Sequence, residues 1–275
     1  TNTLIGNLLT QPHDKHGAGN KNDCRCEDKA LWVQESGLVY VLYEDGSRAD
    51  SVILNELKGY TGILQSDAYS AYRKLQSDAY PAIVRIACLQ HVKRKFIDCG
   101  KEPEAEEMVS LINELYRNEH GHRIGEDGWT VEKNEGYRRE YAPKILEKIN
   151  RKLKKIESLP SLLPKSNLYE AVTYMRNEWE AIRNIFNYGN TNLDNNTVER
   201  LNRYFSISRR NSLFFGSHKG AERAAILYTL ALSCRMNKVD LFEYLTDIIE
   251  RTAEWQPNTP LEKYRDLLPD KWNQG

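Results

Sequence analysis

The stretch Gly62-Ile63-Leu64-Gln65-Ser66-Asp67-Ala68-Tyr69-Ser70-Ala71-Tyr72 decides the fold class. Its apolar run, Gly62 to Gln65, predicts a short strand that stops at Ser66-Asp67, and Tyr69 to Leu75 then carries helical spacing. The alternation repeats at once, with a strand predicted over Ala82 to Ala87 and a helix over Gln90 to Ile97. Upstream, Ala30 to Gln34 and Leu38 to Tyr43 are apolar and β-branched around Glu35, Ser36 and Gly37, the pattern of a hairpin. A strand over Leu4 to Thr10 precedes them, residues 12–29 read as a polar loop, and Ser51 to Leu57 has helical spacing. Leading strands followed by strand–helix alternation predict an α/β fold, a mixed sheet flanked by helices.

Past Gly100 the pattern is almost wholly helical. Leu111, Ile112, Leu115 and Tyr116 make one apolar face, and Ile145, Leu146, Ile149, Leu153 and Ile156 another. A long helix is predicted over Leu168 to Ile185, then helices over Thr197 to Ser206, Lys219 to Met236 and Asp240 to Ala253. Ala224, Ala225, Leu227, Leu230 and Leu232 are expected to pack in the core. The organisation predicted is a sheet-bearing part (1–100), a large all-helical insertion (101–189), C-terminal helices (190–255) and a polar tail (256–275). The insertion serves either packing alone or contact with DNA or a partner.

Lysine plus arginine equals aspartate plus glutamate at 39 each, which argues against a general nucleic-acid coat but leaves local basic patches open. Five scattered cysteines make a poor disulfide framework, and no apolar run is long enough to span a membrane, so a cytoplasmic protein is expected. The first residue is Thr1 rather than Met, and the chain reads as a piece of a longer protein. No Gly-rich phosphate loop and no Ser–His–Asp order is present, which sets aside nucleotide hydrolysis and acyl transfer.

Asp67 follows a predicted strand and precedes a helix, a place where a carboxylate opens onto a crevice and can grip a hard cation. Equally, Asp there can simply cap the helix. Glu199 follows Asp194-Asn195-Asn196 and falls in the first turn of a helix, where the dipole favours a charged carboxylate; a capping role fits it as well. Cys88 and His91, with Cys24 and Cys26, have the residue types of a zinc site, although a buried thiol and a surface histidine suit the spacing better. Lys93 and Arg94, with Lys95, form a basic cluster, and Arg200, Arg203, Arg209 and Arg210 form a second, interleaved with Tyr204 and Phe205; both are candidates for phosphate contact. Arg151, Lys152, Lys154 and Lys155 form a third, flanked by Glu147 and Glu157, and read as a solvated helix face.

Taken together, three segments resemble the insertion-sequence-66 family of bacterial transposases: Leu64 to Tyr72; Ala87-Cys88-Leu89-Gln90-His91-Val92-Lys93-Arg94-Lys95-Phe96; and Asp194 to Arg200, continued by Ser208 to Ser217 and Gly220 to Ala225. The resemblance covers roughly residues 30–245 in the family's order. It implies a ribonuclease-H-like fold and a DDE site in which divalent ions, Mg²⁺ or Mn²⁺, bridge carboxylates and the scissile phosphate. Asp67 would be the second carboxylate and Glu199 the third. It further implies DNA strand cleavage and transfer at element ends, on double-stranded DNA, by a homo-oligomer. The first carboxylate of that pattern belongs on the first strand, where this sequence has Asn7 or Leu8. A neutral amide binds Mg²⁺ far less well than a carboxylate. Three functions therefore stand open: a transposase catalytic domain, a non-catalytic descendant that binds DNA or a partner, and a metal-dependent nuclease acting on other nucleic acid, against which the linked motifs argue.

Overall fold

The structure is a computed structural model that describes residues 3–9, 29–34, 36–43, 50–123, 128–211 and 215–272; of these, the side chains of 3–9, 29–32, 123, 205, 206 and 208–211 are left undescribed. The elements in order are β1 (Thr3–Leu9), β2 (Lys29–Gln34), β3 (Val39–Tyr43), α1 (Asp50–Glu56), β4 (Gly62–Gln65), α2 (Ser70–Lys74), β5 (Ile83–Ile86), α3 (Leu89–Ile97), α4 (Pro103–Arg123), α5 (Val131–Glu157), α6 (Asn167–Asn177), α7 (Trp179–Ile185), α8 (Asn196–Asn211), α9 (His218–Met236), α10 (Leu241–Thr252) and α11 (Leu261–Asp266). The chain is thus mixed α/β and mostly helical, as the periodicity predicts in outline. It divides into two compact units, one from Gly59 to Asn195 and the other from the described residues before Gly59 together with those from Asn196 onward.

In the Gly59–Asn195 unit, β4 and β5 run parallel with Ile63 opposite Val84 and Gln65 opposite Ile86. Such a pair needs a crossover, and α2 supplies it. Ile63, Ile86, Leu89, Val92 and Phe96 share one core with Met108, Ile112 and Leu115 of α4, Ile145, Ile149, Leu153 and Ile156 of α5, and Val172, Met175 and Ile182 of α6 and α7. The helices after Gly100 therefore bury their apolar faces on the β4–α3 layer rather than only on one another. Two hydrogen bonds tie α7 to β5 and the residue after it: the Ala87 amide donates to the Ala181 carbonyl at 3.1 Å, and Asn184 Nδ2 donates to the Arg85 carbonyl at 3.3 Å. The single helix expected over Leu168 to Ile185 is broken at Glu178, whose φ of −96° and ψ of 0° leave the helical region between α6 and α7.

In the other unit, β1, β2 and β3 form an antiparallel meander, with Asn7 opposite Leu31 and Trp32 opposite Tyr40. Val33, Val39, Val41 and Tyr43 pack on Val198 and Leu201 of α8 and on Ala221, Ala225 and Leu232 of α9. Residues 221, 225, 229 and 233 recur every fourth position and lie on one face of α9. All four are small or short, which lets the helix approach β3 closely. Thr229 Oγ1 accepts from the Val41 amide at 3.0 Å, and Ser233 Oγ accepts from the Val39 amide at 2.9 Å. The Val39 and Val41 amides of this edge strand are thereby satisfied, which protects an edge that could otherwise template association. This geometry corrects the core assignment of Leu227: it sits off the 221–233 face and is 59% exposed. Helix α8 runs to Asn211, beyond the predicted Ser206, because no breaker interrupts it. The tail is not merely polar: it carries α11, and Trp272 stacks edge-on against Tyr244 while its Nε1 donates to Asp247.

Candidate functional site

Asp67 leaves the sheet two residues beyond β4. The ladder persists to Ser66, whose amide donates to the Ile86 carbonyl at 3.1 Å, and the chain then turns. Asp67 Oδ1 accepts from the Tyr69 amide at 3.1 Å, an Asx turn. The N-cap of α2 is Tyr69, and no side chain caps it, so Asp67 is a turn-former rather than the helix cap. Its carboxyl is half-buried, and burial raises its pKa above the usual carboxylate value. The Tyr69 amide and the charges of His91 and Arg85 pull the other way. A charged group kept at such a cost is the kind that a cation would relieve.

The support beneath Asp67 comes from residues that the sequence reading passed over. Arg85, in β5, is fully buried. Its Nε donates to Ser66 Oγ at 3.0 Å, its Nη2 to the Asp67 backbone carbonyl at 2.9 Å, and its Nη1 to Gln76 Oε1 at 3.3 Å. Nη2 also pairs with Glu178 Oε2, and Glu178 is only 1% exposed. Gln65 Nε2 crosses to the Asn192 carbonyl at 2.8 Å, linking the end of β4 to the segment before α8. Tyr174 lies within the electrostatic reach of Asp67, Glu178 and Cys88; burial first, then those groups, push its hydroxyl pKa upward.

A second buried arginine organises the segment that leads to α8. Arg138 Nη1 donates to the Ile185 carbonyl at 3.0 Å, to Thr191 Oγ1 at 2.7 Å and to the Tyr188 carbonyl. Its Nη2 donates to the Thr191 carbonyl at 2.7 Å and to Glu119 Oε1 at 2.5 Å. Gly189 is required in that turn, because a Cβ there would stand 1.9 Å from the Val131 carbonyl oxygen.

Glu199 is half-buried in the first turn of α8, between the buried Val198 and Leu201. Arg200 and Arg203 are exposed on the same helix, and Arg200 Nη2 reaches Thr197 Oγ1 at 3.2 Å. Arg209 and Arg210 lie on α8, but their side chains are outside the described residues. Asp67 and its neighbours belong to the Gly59–Asn195 unit, whereas Glu199 belongs to the other. Among the described residues no three His, Cys, Asp or Glu side chains group as a metal site.

Of the first basic cluster, Arg94 is exposed, while Lys93 is half-buried with its Nζ 5.7 Å from the centre of the Tyr116 ring. Tyr116 in turn donates to Asp194 Oδ2 at 3.1 Å. The third cluster is not uniformly a solvated face: Lys152 is 9% exposed and pairs with Glu107, and Arg151 lies 3.6 Å from Glu147. Cys88 is buried at the N-cap of α3, and burial pushes its thiol pKa up to about 12. Cys24 and Cys26, the other half of the zinc possibility, lie outside the described residues.

The family model described as "Transposase IS66 family" matches residues 19–223. The chain belongs to that family. This transposase-family chain is 32% identical over 255 residues to Uncharacterized protein y4qI of Sinorhizobium fredii, covering 90% of the chain and 45% of that protein. Uncharacterized protein y4hP of the same organism is 30% identical over 283 residues, covering 96% and 49% respectively. The chain thus spans about half the length of the curated relatives it matches. No solved structure matches it. Among the described residues of this IS66-family chain, no helix is long and apolar enough to cross a membrane.

Proposed function

We propose that the chain is the catalytic part of a DNA transposase with a ribonuclease-H-like core, and that Asp67 and Glu199 serve as carboxylate ligands to divalent ions, Mg²⁺ or Mn²⁺, for phosphodiester cleavage and strand transfer. The observation that carries the proposal is the placement of Asp67. It is a half-buried carboxylate at the C-terminal end of a parallel strand, raised in pKa by burial, inside a family whose members are transposases. Carboxylate oxygens are hard donors and suit Mg²⁺. When bound, the ion supplies Lewis acidity at a phosphate oxygen. The chain's own residues do the rest: Tyr69 orients the Asp67 carboxyl, and Arg94, Arg200 and Arg203 offer exposed cations to DNA phosphates. Double-stranded DNA at element ends is the substrate in this reading, acted on by a homo-oligomer.

A second reading is favoured by one observation. Asn7 or Leu8, depending on register, stands where the resemblance calls for a carboxylate, so a non-catalytic descendant that binds DNA or a partner is the alternative. Both are tested by Mg²⁺- or Mn²⁺-dependent nicking of a labelled duplex carrying the element's own ends, in the chain itself and in Asp67→Ala, Glu199→Ala and Asn7→Asp. Nicking that either alanine abolishes establishes the catalytic reading. Nicking only in Asn7→Asp establishes a site disabled at one ligand, and silence in every form favours the non-catalytic descendant.

A further inference from the structure

We infer that Arg85 and Glu178 are positioning residues for Asp67, and that the helical stretch after Gly100 is part of the site's support because it supplies Glu178. This rests on the reading of Asp67 as a metal ligand. The geometry is specific. Arg85 spends its fork on two points of the β4–α2 turn, Ser66 Oγ at 3.0 Å and the Asp67 carbonyl at 2.9 Å, and on Gln76 Oε1, just past α2, at 3.3 Å. A guanidinium can hold several acceptors in one plane, which an ammonium cannot. Glu178 pairs with Nη2, the same nitrogen that donates to the Asp67 carbonyl.

Glu178 also breaks the α6–α7 helix at its own position, and it is buried to 1% exposure. A buried carboxylate is costly unless paired, and its Oε1 has no hydrogen-bond partner among the described residues. Packing alone is served better there by an apolar side chain of similar volume. The pair therefore does something other than fill space: it holds the backbone of the turn in which the Tyr69 amide meets the Asp67 carboxyl. Ligand-orienting contacts one step from a metal typically change metal affinity or activity by 10–100-fold when removed.

The test compares the chain with Arg85→Met combined with Glu178→Leu, which keeps volume and removes the charges, and with Arg85→Lys, which keeps one charge and loses the fork. Three quantities are read: thermal stability, amide hydrogen exchange at Tyr69, whose N–H donates to Asp67, and the nicking rate of the duplex described above. The expected result is parent-like stability in the double variant, Tyr69 exchange at least tenfold faster, and nicking slowed by about 10–100-fold, with Arg85→Lys changed in the same direction. Exchange and nicking that stay parent-like in a folded variant overturn the inference, as does faster exchange with parent-like nicking. If Asp67→Ala nicks as fast as the parent, the catalytic reading has failed, and Tyr69 exchange alone then decides the positioning role. Should the double variant not fold, Arg85→Lys decides it by the same criteria.

Discussion

Arg85 Nη2 donates to the backbone carbonyl of Asp67 at 2.9 Å while the same nitrogen pairs with Glu178. One buried cation thus joins the strand end that carries the candidate ligand to the break between α6 and α7. Removing one partner of such a pair leaves an uncompensated buried charge. Glu178→Ala is therefore expected to destabilise the fold by about 3–5 kcal/mol, read as a lowered urea midpoint with an unchanged slope. Stability within about 1 kcal/mol of the parent would show that solvent screens the pair.

Asp67 itself costs stability. Its folded pKa is raised above the ordinary 3.8, mainly by burial. Between those two values the native state binds the proton more tightly, so its stability falls as pH rises through that window, and the deficit persists at neutral pH. Asp67→Asn is expected to stabilise the fold at pH 7 by on the order of 1 kcal/mol. The gain should vanish below the unfolded pKa, where both states are protonated, and nicking should be lost. Thermal melts at pH 7 and pH 3 check the sign; equal gains at both would show that the carboxyl charge is not the cause.

Much of the fold was legible in the sequence, because apolar runs of four or five residues and stripes at helical spacing report burial directly. The site was legible only in part. Gln-Ser-Asp-Ala-Tyr occurs twice, at 65–69 and 76–80, and nothing in those five residues separates Asp67 from Asp78. The separation lies in what precedes them. The first copy continues β4, and its Asp is half-buried; the second follows a helix, closes a turn with the Tyr80 amide on the Ser77 carbonyl at 2.9 Å, and exposes its Asp. Arg85 did leave a signal, a charge inside Ile83-Val84-Arg85-Ile86, as did Glu178, which interrupts the apolar spacing of Met175 and Ile182. That the two meet is a 93-residue contact, which local pattern does not encode. Leu227 was misplaced because apolar character alone does not say which face of α9 turns toward β3; the small residues and hydroxyls at fourfold spacing do.

The hydroxyls of Thr229 and Ser233 are expected to matter more than their size suggests. Thr229→Val with Ser233→Ala leaves the Val41 and Val39 amides without those acceptors, and the loss should be about 1–3 kcal/mol for each buried amide. Chemical denaturation measures it, and light scattering on the variant should show concentration-dependent association through the uncovered edge of β3. A variant as stable and as monodisperse as the parent would refute the edge-covering role.

If the exposed arginines of α3 and α8 meet phosphates, each removes condensed counterions from DNA. Arg94→Ala and Arg203→Ala should each weaken duplex binding irrespective of sequence and reduce the slope of log affinity against log salt by about one. Fluorescence anisotropy between low and moderate salt reads both quantities. An unchanged slope would place that arginine off the DNA.

The most direct test of the account is Mn²⁺ binding, followed by electron paramagnetic resonance, in the chain, in Asp67→Ala, in Glu199→Ala and in the double variant. Each single change should lose tight Mn²⁺ binding, and the double change should lose little more. Tight binding that survives both single changes would contradict Asp67 and Glu199 as metal ligands.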